Sequence, residues 1–417
     1  IWLPAEFATE LVGVEYSADE ITDILQQIGC VVASVDGGFE VIAPTWRPDI
    51  THKTDLVEEI ARIGGYHRIP SRLPVAPPGR GLSTTQKRRR AIVNALAGSG
   101  HVEVLTYPFL STEANAWFSE NKSRPVVKLA NALQEDAAEM RTAILPGLIE
   151  AAKRNYSRGL TDLAIFEEGS VFEPISVIGK NPTLPVGNEL PSPSELAALK
   201  ATIPAQPKHL AVLFAGNRVA DQVGLSAIPA DFKDAIQAVR VAAHAVGVEP
   251  IVRQATPAGF HPGRTAEIFV ATASGELSIG FAGELDPQLA LDNNLPRRIA
   301  AVEINLDRLY AAAPNVVQAS EIGTMPAATQ DLSLVVDAAL PAAELLNTIS
   351  AGAGELLENV VLVDDYRGDN VEAGKKSLTF ALRFRAADRT LTQAEASEAR
   401  DAAVALANAK FGATLRA

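Results

Sequence analysis

Cysteine is nearly absent from this 417-residue sequence, which contains only Cys30. A single thiol excludes a disulfide scaffold and a cysteine-rich zinc site, and it fits a reducing, cytoplasmic setting. No apolar run reaches the roughly 20 residues that a membrane-spanning helix needs, and the first residues show no signal-peptide pattern. The net charge is −13. A broadly basic nucleic-acid-binding surface is therefore excluded, and any such contact must come from a local patch.

Hydrophobic residues, in contrast, are plentiful and make up 47% of the chain. A chain of this length is too long to fold around one hydrophobic core, so two to four domains are expected. The first residue is Ile1 rather than Met, and the sequence pattern is already under way at this residue. Both features favour a fragment of a longer protein. The patterns predict an α+β multidomain fold, divided into residues 1–75, 85–320 and 323–417.

Residues 1–75 are predicted to form a small winged-helix-like module. The stretch SADEITDILQQIG has a capping box followed by apolar residues at helical spacing. Two apolar runs then flank the turn sequence DGG, which predicts a hairpin. A second helix is expected to begin near Thr54 or Asp55. A linker rich in Pro and Gly follows at residues 76–84.

Residues 85–320 are predicted to form an antiparallel sheet flanked by helices. Apolar strand patterns such as VEVLTYPF, PVVKLAN, LAIFEEGSVFE and HLAVLFAG occur without regular alternation with helices. Seven prolines in residues 174–207 predict an extended surface loop. Residues 323–417 have the order β-α-β-β-α-β, which is the ferredoxin-like arrangement. Thr390 or Thr392 is expected to cap the last helix.

The acidic stretch RPDITHKTDLVEEIARIGGY, residues 47–66, admits two interpretations. In the first, Asp55 caps a helix and Glu58 completes a capping box, since acids near a helix N-terminus stabilise it by about 0.3–1 kcal/mol. In the second, Asp55, Glu58 and Glu59 share one helix face and Asp49 folds back toward them. Four converging carboxylates would require a cation, and oxygen ligands favour Mg²⁺ or Ca²⁺. The pattern alone leaves both open.

Four stretches resemble one known family. The segment PTWRPDITHKTDLVEEIARIGGYHRIP is similar to the signature segment of the β subunit of bacterial phenylalanyl-tRNA synthetases. Three further stretches resemble that family in the same order: NALQEDAAEMRTAILPGLIEAAKRNYSRG, IFEEGSVF and YRGDNVEAGKKSLTFALRFRAADRTLT. The similarity runs from about residue 40 to the end of the chain.

The resemblance implies a role and a set of partners. The family works as an α₂β₂ tetramer, in which the α subunit carries the active site that joins phenylalanine, using ATP, to tRNA(Phe). This chain would be the C-terminal half of a β subunit. Its middle domain would have a class II synthetase-like fold without catalysis, and its C-terminal domain would contact tRNA near the anticodon. The Mg²⁺-binding acids of the family fall on Asp49, Asp55, Glu58 and Glu59.

Basic residues of the C-terminal domain are candidate tRNA contacts. Residues 323–417 carry 9 Lys and Arg against 13 Asp and Glu, so binding would depend on a patch. Strand alternation places Arg383 and Arg385 on one face. The six candidates are Arg367, Lys375, Lys376, Arg383, Arg385 and Arg389.

No catalytic residue is predicted. Arg141 could resemble an ATP-binding arginine, but a surface or interface arginine is the more ordinary interpretation. The run KRRR, residues 87–90, could contact phosphate, but a solvated helix start or a contact with the acidic surface of a partner is the expected role. The stretch FHPGRTAEI resembles a family motif, but a lone His261 without an acid-base partner suggests no chemistry.

Two functions from different classes therefore remain. The first is the β subunit of a phenylalanine–tRNA ligase, inactive without its α subunit. The alternative is a non-catalytic nucleic-acid-binding protein that uses the first and last modules alone. A free-standing Mg²⁺ enzyme has little support, because no nucleophile or phosphate-cradling glycine loop accompanies the acids.

Overall fold

The computed structural model describes residues 1–75, 77–79, 81–121, 124–174, 190–319 and 322–416. It divides into two compact units, residues 1–91 and 92–417. The predicted linker therefore falls within the first unit, and residues 323–417 belong with the middle region in the second. None of the helices in the described ranges is long and apolar enough to cross a membrane.

The first unit contains a three-stranded antiparallel sheet and three complete helices. The sheet order is β1-β3-β2, and the buried core includes Leu3, Leu25, Phe39 and Leu56. A short 3₁₀ helix, Tyr66–Arg68, follows the last of these helices. The elements are β1 (Trp2–Pro4), α1 (Phe7–Val12), α2 (Ala18–Gln27), β2 (Val31–Val35), β3 (Gly38–Ile42) and α3 (Lys53–Gly64).

The predicted first helix, the hairpin and the start of the second predicted helix are confirmed in this unit. Ser17 accepts the N–H of Glu20 at 3.2 Å and caps α2. The hairpin turns at Gly37, whose φ of 82° is in the left-handed region that glycine tolerates. Helix α3 begins at Lys53, one residue before Thr54, which agrees with the predicted start near Thr54 or Asp55.

The second unit is built first around a seven-stranded sheet of order β11-β12-β13-β14-β8-β7-β4. Every neighbouring pair is antiparallel except β4 with β7. Helix α4 (Thr84–Gly98) leads into this unit. Its strands are β4 (Val102–Glu103), β5 (Phe109–Leu110), β6 (Glu139–Met140), β7 (Leu163–Ser170), β8 (Lys208–Ala215), β9 (Asn217–Val219), β10 (Ile228–Pro229), β11 (Ile251–Gln254), β12 (Phe260–Thr272), β13 (Gly275–Leu285) and β14 (Ile299–Asn305).

Helices cover both faces of this sheet, as its alternating apolar residues require. On β8, Leu210, Val212 and Phe214 join one core, whereas Ala211 and Leu213 join the other. A 3₁₀ helix spans Glu135–Ala137. The helices are α5 (Thr112–Asn115), α6 (Leu145–Tyr156), α7 (Pro193–Lys200), α8 (Phe232–His244), α9 (Pro287–Asp292) and α10 (Leu306–Ala312).

Some sequence expectations for this region are wrong. The stretch PVVKLAN forms no strand and makes one isolated bridge, Lys128 to Glu139. The predicted strand VEVLTYPF is interrupted, since only Val102–Glu103 and Phe109–Leu110 are extended in a ladder. Within the predicted proline-rich loop, Pro193–Lys200 is helical with a capping box at Ser192. Residues 175–189 of that loop lie outside the described residues.

The predicted ferredoxin-like arrangement near the C-terminus is confirmed. A four-stranded antiparallel sheet of order β16-β17-β15-β18 packs against two helices through Leu332, Phe380 and Ile349. Thr392 is the cap of the last helix and accepts the N–H of Glu395 at 3.3 Å. The elements are β15 (Ala328–Asp337), α11 (Ala342–Ala353), a 3₁₀ helix (Gly354–Leu356), β16 (Leu357–Tyr366), β17 (Lys375–Phe384), α12 (Gln393–Phe411) and β18 (Thr414–Leu415).

Candidate functional site

The acidic segment ahead of α3 is organised by an arginine. Arg47 donates to Asp49 from Nη2 at 2.6 Å and from Nε at 2.9 Å. The same guanidinium donates from Nη1 to Oε2 of Glu59 at 3.2 Å. Glu59 is 7% exposed, and Arg62 also donates to it at 2.6 Å. The two arginines, Arg62 first, lower the pKa of Glu59 to about 2, so this carboxylate is ionised and paired.

Asp55 accepts backbone hydrogen bonds at the start of α3. One of its oxygens, Oδ2, accepts the backbone N–H of Thr51 at 2.8 Å and that of His52 at 2.7 Å. These backbone bonds, that of Thr51 first, hold the pKa of Asp55 below its ordinary value. Asp55 is the third residue of the helix, and it forms a capping box with His52, which is the N-cap residue. The capping interpretation therefore holds for Asp55. It acts from the third helical position, however, and not from the N-cap position that the sequence predicted.

The four predicted carboxylates do not converge in this arrangement of the side chains, and the Mg²⁺ site stays a prediction. Within the described ranges, no three His, Cys, Asp or Glu side chains are grouped so that they could hold a metal ion. Asp49 and Glu59 do approach one centre, but the guanidinium of Arg47 occupies it. Glu58 is exposed on α3. In this arrangement the guanidinium of Arg47, a cationic side chain, compensates Asp49 and Glu59.

Arg47 and Arg62 are the residues that sequence reasoning missed. The sequence does contain a signal for Arg62, because it lies three residues after Glu59 on the same helix, a spacing that favours an ion pair. Arg47 lies two residues before Asp49, so its pairing with that residue is local, whereas its contact with Glu59 requires the fold.

Two of the six basic candidates in the C-terminal domain are corrected. Lys376 is 5% exposed, and its Nζ donates to the carbonyl of Leu340 at 2.6 Å. It lies on the core side of β17, where burial lowers its pKa. The side chain of Arg385 is 13% exposed, because it donates to Glu358 at 2.8 Å and to the carbonyl of Met325. Both residues hold the domain together and offer little surface to RNA.

The other four candidates are exposed and ion-paired. Arg383 contacts Glu358 at 2.6 Å, so it shares this carboxylate with Arg385 on one face of the sheet, as strand alternation predicted. The remaining three pair with acids close to them in sequence: Arg367 with Asp365 at 3.0 Å, Lys375 with Glu372 at 2.7 Å and Arg389 with Glu395 at 2.8 Å. A role in binding tRNA stays a prediction for these four.

Arg141 belongs to a buried network, which corrects its assignment to the surface. It is 6% exposed, and its Nη1 contacts Oε1 of Glu167 at 2.6 Å. Its Nε donates to the carbonyl of Ser170 at 2.9 Å. A Cβ at Gly169 would collide with this guanidinium, which explains the glycine in EEGS. Arg141 therefore stabilises the junction of β6 and β7, where it is buried away from the surface.

Family comparisons cover most of the chain with three successive domains. Residues 1–66 match the tRNA synthetase B5 domain, residues 69–306 match the phenylalanyl tRNA synthetase beta chain CLM domain, and residues 323–416 match the ferredoxin-fold anticodon binding domain. A solved pyrrolysyl-tRNA synthetase from Desulfitobacterium hafniense also aligns with 71% of this chain and 89% of its own, at 12% identity and a TM-score of 0.37. That value is too low to support an argument.

Relatives named phenylalanine–tRNA ligase beta subunit align along the whole chain. The relative from Leifsonia xyli subsp. xyli is 50% identical over 420 residues, which are 100% of this chain and 49% of the relative. Those from Streptomyces avermitilis and Thermobifida fusca are 46% and 45% identical, over 100% and 99% of this chain and 50% of each relative. The chain thus spans about half the length of the curated relatives it matches. It belongs to the phenylalanyl-tRNA synthetase beta chain family.

Proposed function

We propose that the chain is the C-terminal half of a phenylalanine–tRNA ligase β subunit, which acts with a catalytic α subunit to attach phenylalanine to tRNA(Phe) using ATP. One observation carries the proposal. Three synthetase domain families match in order across residues 1–66, 69–306 and 323–416, and relatives of that name are 45–50% identical over the chain.

The middle region acts in this proposal as a class II synthetase-like scaffold without an active site. The arginine with the greatest resemblance to a nucleotide contact, Arg141, is buried and bonded to Glu167, Ser170 and Thr106 through its Nε and Nη1. Glu167 is 2% exposed and also accepts the hydroxyl of Thr106 at 2.6 Å. A buried pair of this kind stabilises its surroundings only while every partner is present. The network supports a structural role rather than catalysis.

The C-terminal sheet supplies the tRNA contacts in this proposal. Arg367, Arg383 and Arg389 have side-chain exposures between 51% and 56%, and each lies within 3.0 Å of a carboxylate oxygen. Exposed ion pairs of this type are worth little on their own. A phosphate can therefore replace the carboxylate at small cost, and binding should weaken as salt concentration rises. Lys375 belongs to the same exposed set.

The α subunit is proposed to cover apolar side chains beside the edge strand β4. Val102 is 61% exposed, Leu105 86% and Tyr107 82%. They lie within six residues, and β4 is the last strand of the sheet, so no strand of the described residues pairs with its other side. Clustered apolar exposure next to a free strand edge is typical of a protein–protein interface. The stoichiometry α₂β₂ is part of the proposal.

Mg²⁺ is not included for the acidic segment. Asp49 and Glu59 already share the guanidinium of Arg47, and Glu59 has a second cation in Arg62. Asp55 is committed to backbone N–H groups. The proposed contribution of this segment is to fix the approach to α3.

A charging assay tests the proposal. Purified α subunit and full-length β subunit are mixed with ATP, labelled phenylalanine and tRNA(Phe), and acid-precipitable label is counted. We expect charging by the mixture and none by either subunit alone. Tyrosine in place of phenylalanine, and a second tRNA in place of tRNA(Phe), serve as specificity controls. Charging of a different amino acid, or none by the mixture, would overturn the proposed function.

A further inference from the structure

A cationic cavity opens at one end of the seven-stranded sheet. Its volume is about 480 Å³, and its walls come from the residue after β8, from β10, from the start of β12, from the first residue of α9 and from the loop before β14. Prolines and small residues form the apolar walls: Gly216, Pro229, Ala230, Pro287 and Pro296. The polar lining consists of His261, Arg264, Arg297 and Arg298. Three arginines in one concavity contrast with the net charge of −13 of the chain.

A buried carboxylate orients two of these arginines. Glu284 is 2% exposed, and its Oε2 accepts from Nε of Arg264 at 2.7 Å. The Nε of Arg298 lies 3.8 Å from Oε1 of the same residue. A buried carboxylate of this kind requires positive partners, so the two guanidiniums are held at the cavity while their outer faces stay 40% and 54% exposed.

Arg297 has no such partner. Within the described part of the chain it makes no hydrogen bond and no ion pair, and it lines the cavity beside Arg298. With Glu284 counted against Arg264, Arg297 and Arg298, these four side chains carry two excess positive charges. The carboxylate of Asp162, next to Gly216, accepts the backbone N–H of Asn217 at 2.8 Å. Like charges placed side by side repel one another, so an arrangement that keeps them together favours an anion between them.

Local irregularities of the backbone present these side chains. The ladder of β12 and β13 pairs Phe260 with Leu285 and then Thr265 with Gly283. Between these two pairs, β12 advances by five residues whereas β13 advances by two. The extra residues, His261 to Arg264, bulge out of the ladder, as bulges do where a sheet re-aims side chains. The hydroxyl of Thr265 secures the bulge by donating to the carbonyl of His261 at 2.8 Å.

The loop that carries Arg297 and Arg298 is anchored on both sides. Asn293 donates to the carbonyl of Leu289 at 3.0 Å, and Leu295 is 4% exposed. Ile299, directly after the two arginines, is fully buried as the first residue of β14. The arginines therefore project from a fixed backbone, which reduces the entropy lost when a ligand binds.

We propose that this cavity binds a phosphate monoester, supplied either by a mononucleotide or by the 5′ end of an RNA. Two excess charges match the dianion of a monoester, and guanidinium forks match phosphate oxygens in geometry. His261 lies at the rim, where its Nδ1 accepts the N–H of Gly263 at 3.0 Å. That bond leaves the second ring nitrogen available for a ligand. The site is separate from the tRNA contacts proposed on the C-terminal sheet.

Isothermal titration of the 417-residue chain with inorganic phosphate and with pyrophosphate tests the proposal. We expect one saturable site per chain. Arg297→Gln and Arg298→Gln should each weaken the affinity about tenfold, because each removes a charge-assisted contact. Arg240→Gln is the matched control, since Arg240 is an exposed arginine on α8 outside the cavity lining. Circular dichroism of each variant verifies that it is folded.

The source of the phosphate is identified by two further titrations, with AMP and with a short RNA bearing either a 5′-phosphate or a 5′-hydroxyl. Preference for AMP indicates a mononucleotide, and preference for the 5′-phosphorylated RNA indicates an RNA end; either supports the site. The proposal is overturned if phosphate and pyrophosphate do not saturate, if Arg240→Gln weakens binding as much as Arg297→Gln, or if only an acidic peptide binds. These measurements need neither the α subunit nor charging, so their failure is distinct from failure of the proposed function.

Discussion

Arg47 and Glu59 are joined by a hydrogen bond of 3.2 Å from Nη1 to Oε2, although twelve residues separate them and only Glu59 lies on α3. The bond fixes the irregular segment after β3 against the helix. It also supplies, from within the chain, the positive charge that a cluster of acids would otherwise take from a metal ion.

Neutralising Glu59 should destabilise the first unit. Glu59→Gln removes the charge that Arg62 and Arg47 both contact, and we expect a loss of roughly 1–3 kcal/mol in the free energy of opening of α3. Amide hydrogen exchange of α3 measures this directly. Glu58→Gln, a change of the same chemistry at an exposed neighbouring position, should stay within about 0.5 kcal/mol of the parent. Equal effects of the two variants would contradict the account.

Removing divalent metal should leave the isolated chain unchanged. Because Arg47 lies between Asp49 and Glu59, no divalent cation is needed to hold them together. The midpoint of thermal unfolding should be the same in a chelator and in millimolar Mg²⁺, once ionic strength is matched with NaCl. A clear rise of the midpoint in Mg²⁺ alone, reversed by chelation, would restore the metal interpretation of the acidic stretch.

Two basic residues of the C-terminal domain should respond differently to substitution. Arg383→Gln should weaken tRNA binding by the assembled enzyme a few-fold. It should also reduce the slope of the logarithm of the binding constant against the logarithm of salt concentration by about the contribution of one phosphate contact. Lys376→Ala should instead lower stability, because Lys376 is buried and donates to the carbonyl of Leu340. Filter binding at several salt concentrations, together with urea unfolding, separates the two. A change in salt dependence for Lys376→Ala would contradict its structural assignment.

His101 should make stability fall on mild acidification. Burial lowers the pKa of His101, its Nδ1 lies 3.1 Å from the carbonyl oxygen of Leu96, and its Nε2 is buried without a partner. The unfolded chain takes up a proton near pH 6.5 whereas the folded chain resists it. The free energy of unfolding should therefore decrease as the pH falls below about 6.5.

The matched variant is His101→Phe, which keeps the edge contact with Phe214 at a ring separation of 5.2 Å but has no titrating nitrogen. Urea unfolding at several pH values between 7 and 5 should show a steeper decrease for the parent. Parallel curves for parent and variant would show that His101 makes no contribution to the pH dependence.

Assembly should depend on the apolar side chains beside β4. Leu105→Ser and Tyr107→Ser change residues that are 86% and 82% exposed, so the folded chain should tolerate them, whereas contact with the α subunit should weaken. Leu133→Ser is the control, because Leu133 is 96% exposed but lies outside the β4 segment. Sedimentation of full-length β with α should show more free subunit for the first two variants than for the third.

The elements predicted well from sequence are those that carry their own signals. Helix α2 has a capping box and apolar spacing, and the C-terminal order follows from long, regular runs. In contrast, β1 is three residues long and exists because it pairs with β3, while α1 has no side-chain cap. Such short elements depend on contacts distant in sequence, which local patterns do not reveal.

The same distinction holds for the candidate site. The capping role of an acid near the start of α3 follows from local spacing, and Asp55 performs it. The pairing of Glu59 with Arg47 does not, because it joins two segments whose approach is decided by the core. Counting acids without their neighbouring arginines missed the ion pairs of Asp49 and Glu59. Counting bases without knowing their burial placed Lys376 and Arg385 on the surface.

The central claim, that this chain is half of a subunit that works only in an assembly, is tested most directly by native mass spectrometry of the full-length β subunit with and without α. The account predicts a complex with two copies of each subunit, formed only when both are present. Masses of separate, unassociated α and β at micromolar concentration would contradict it.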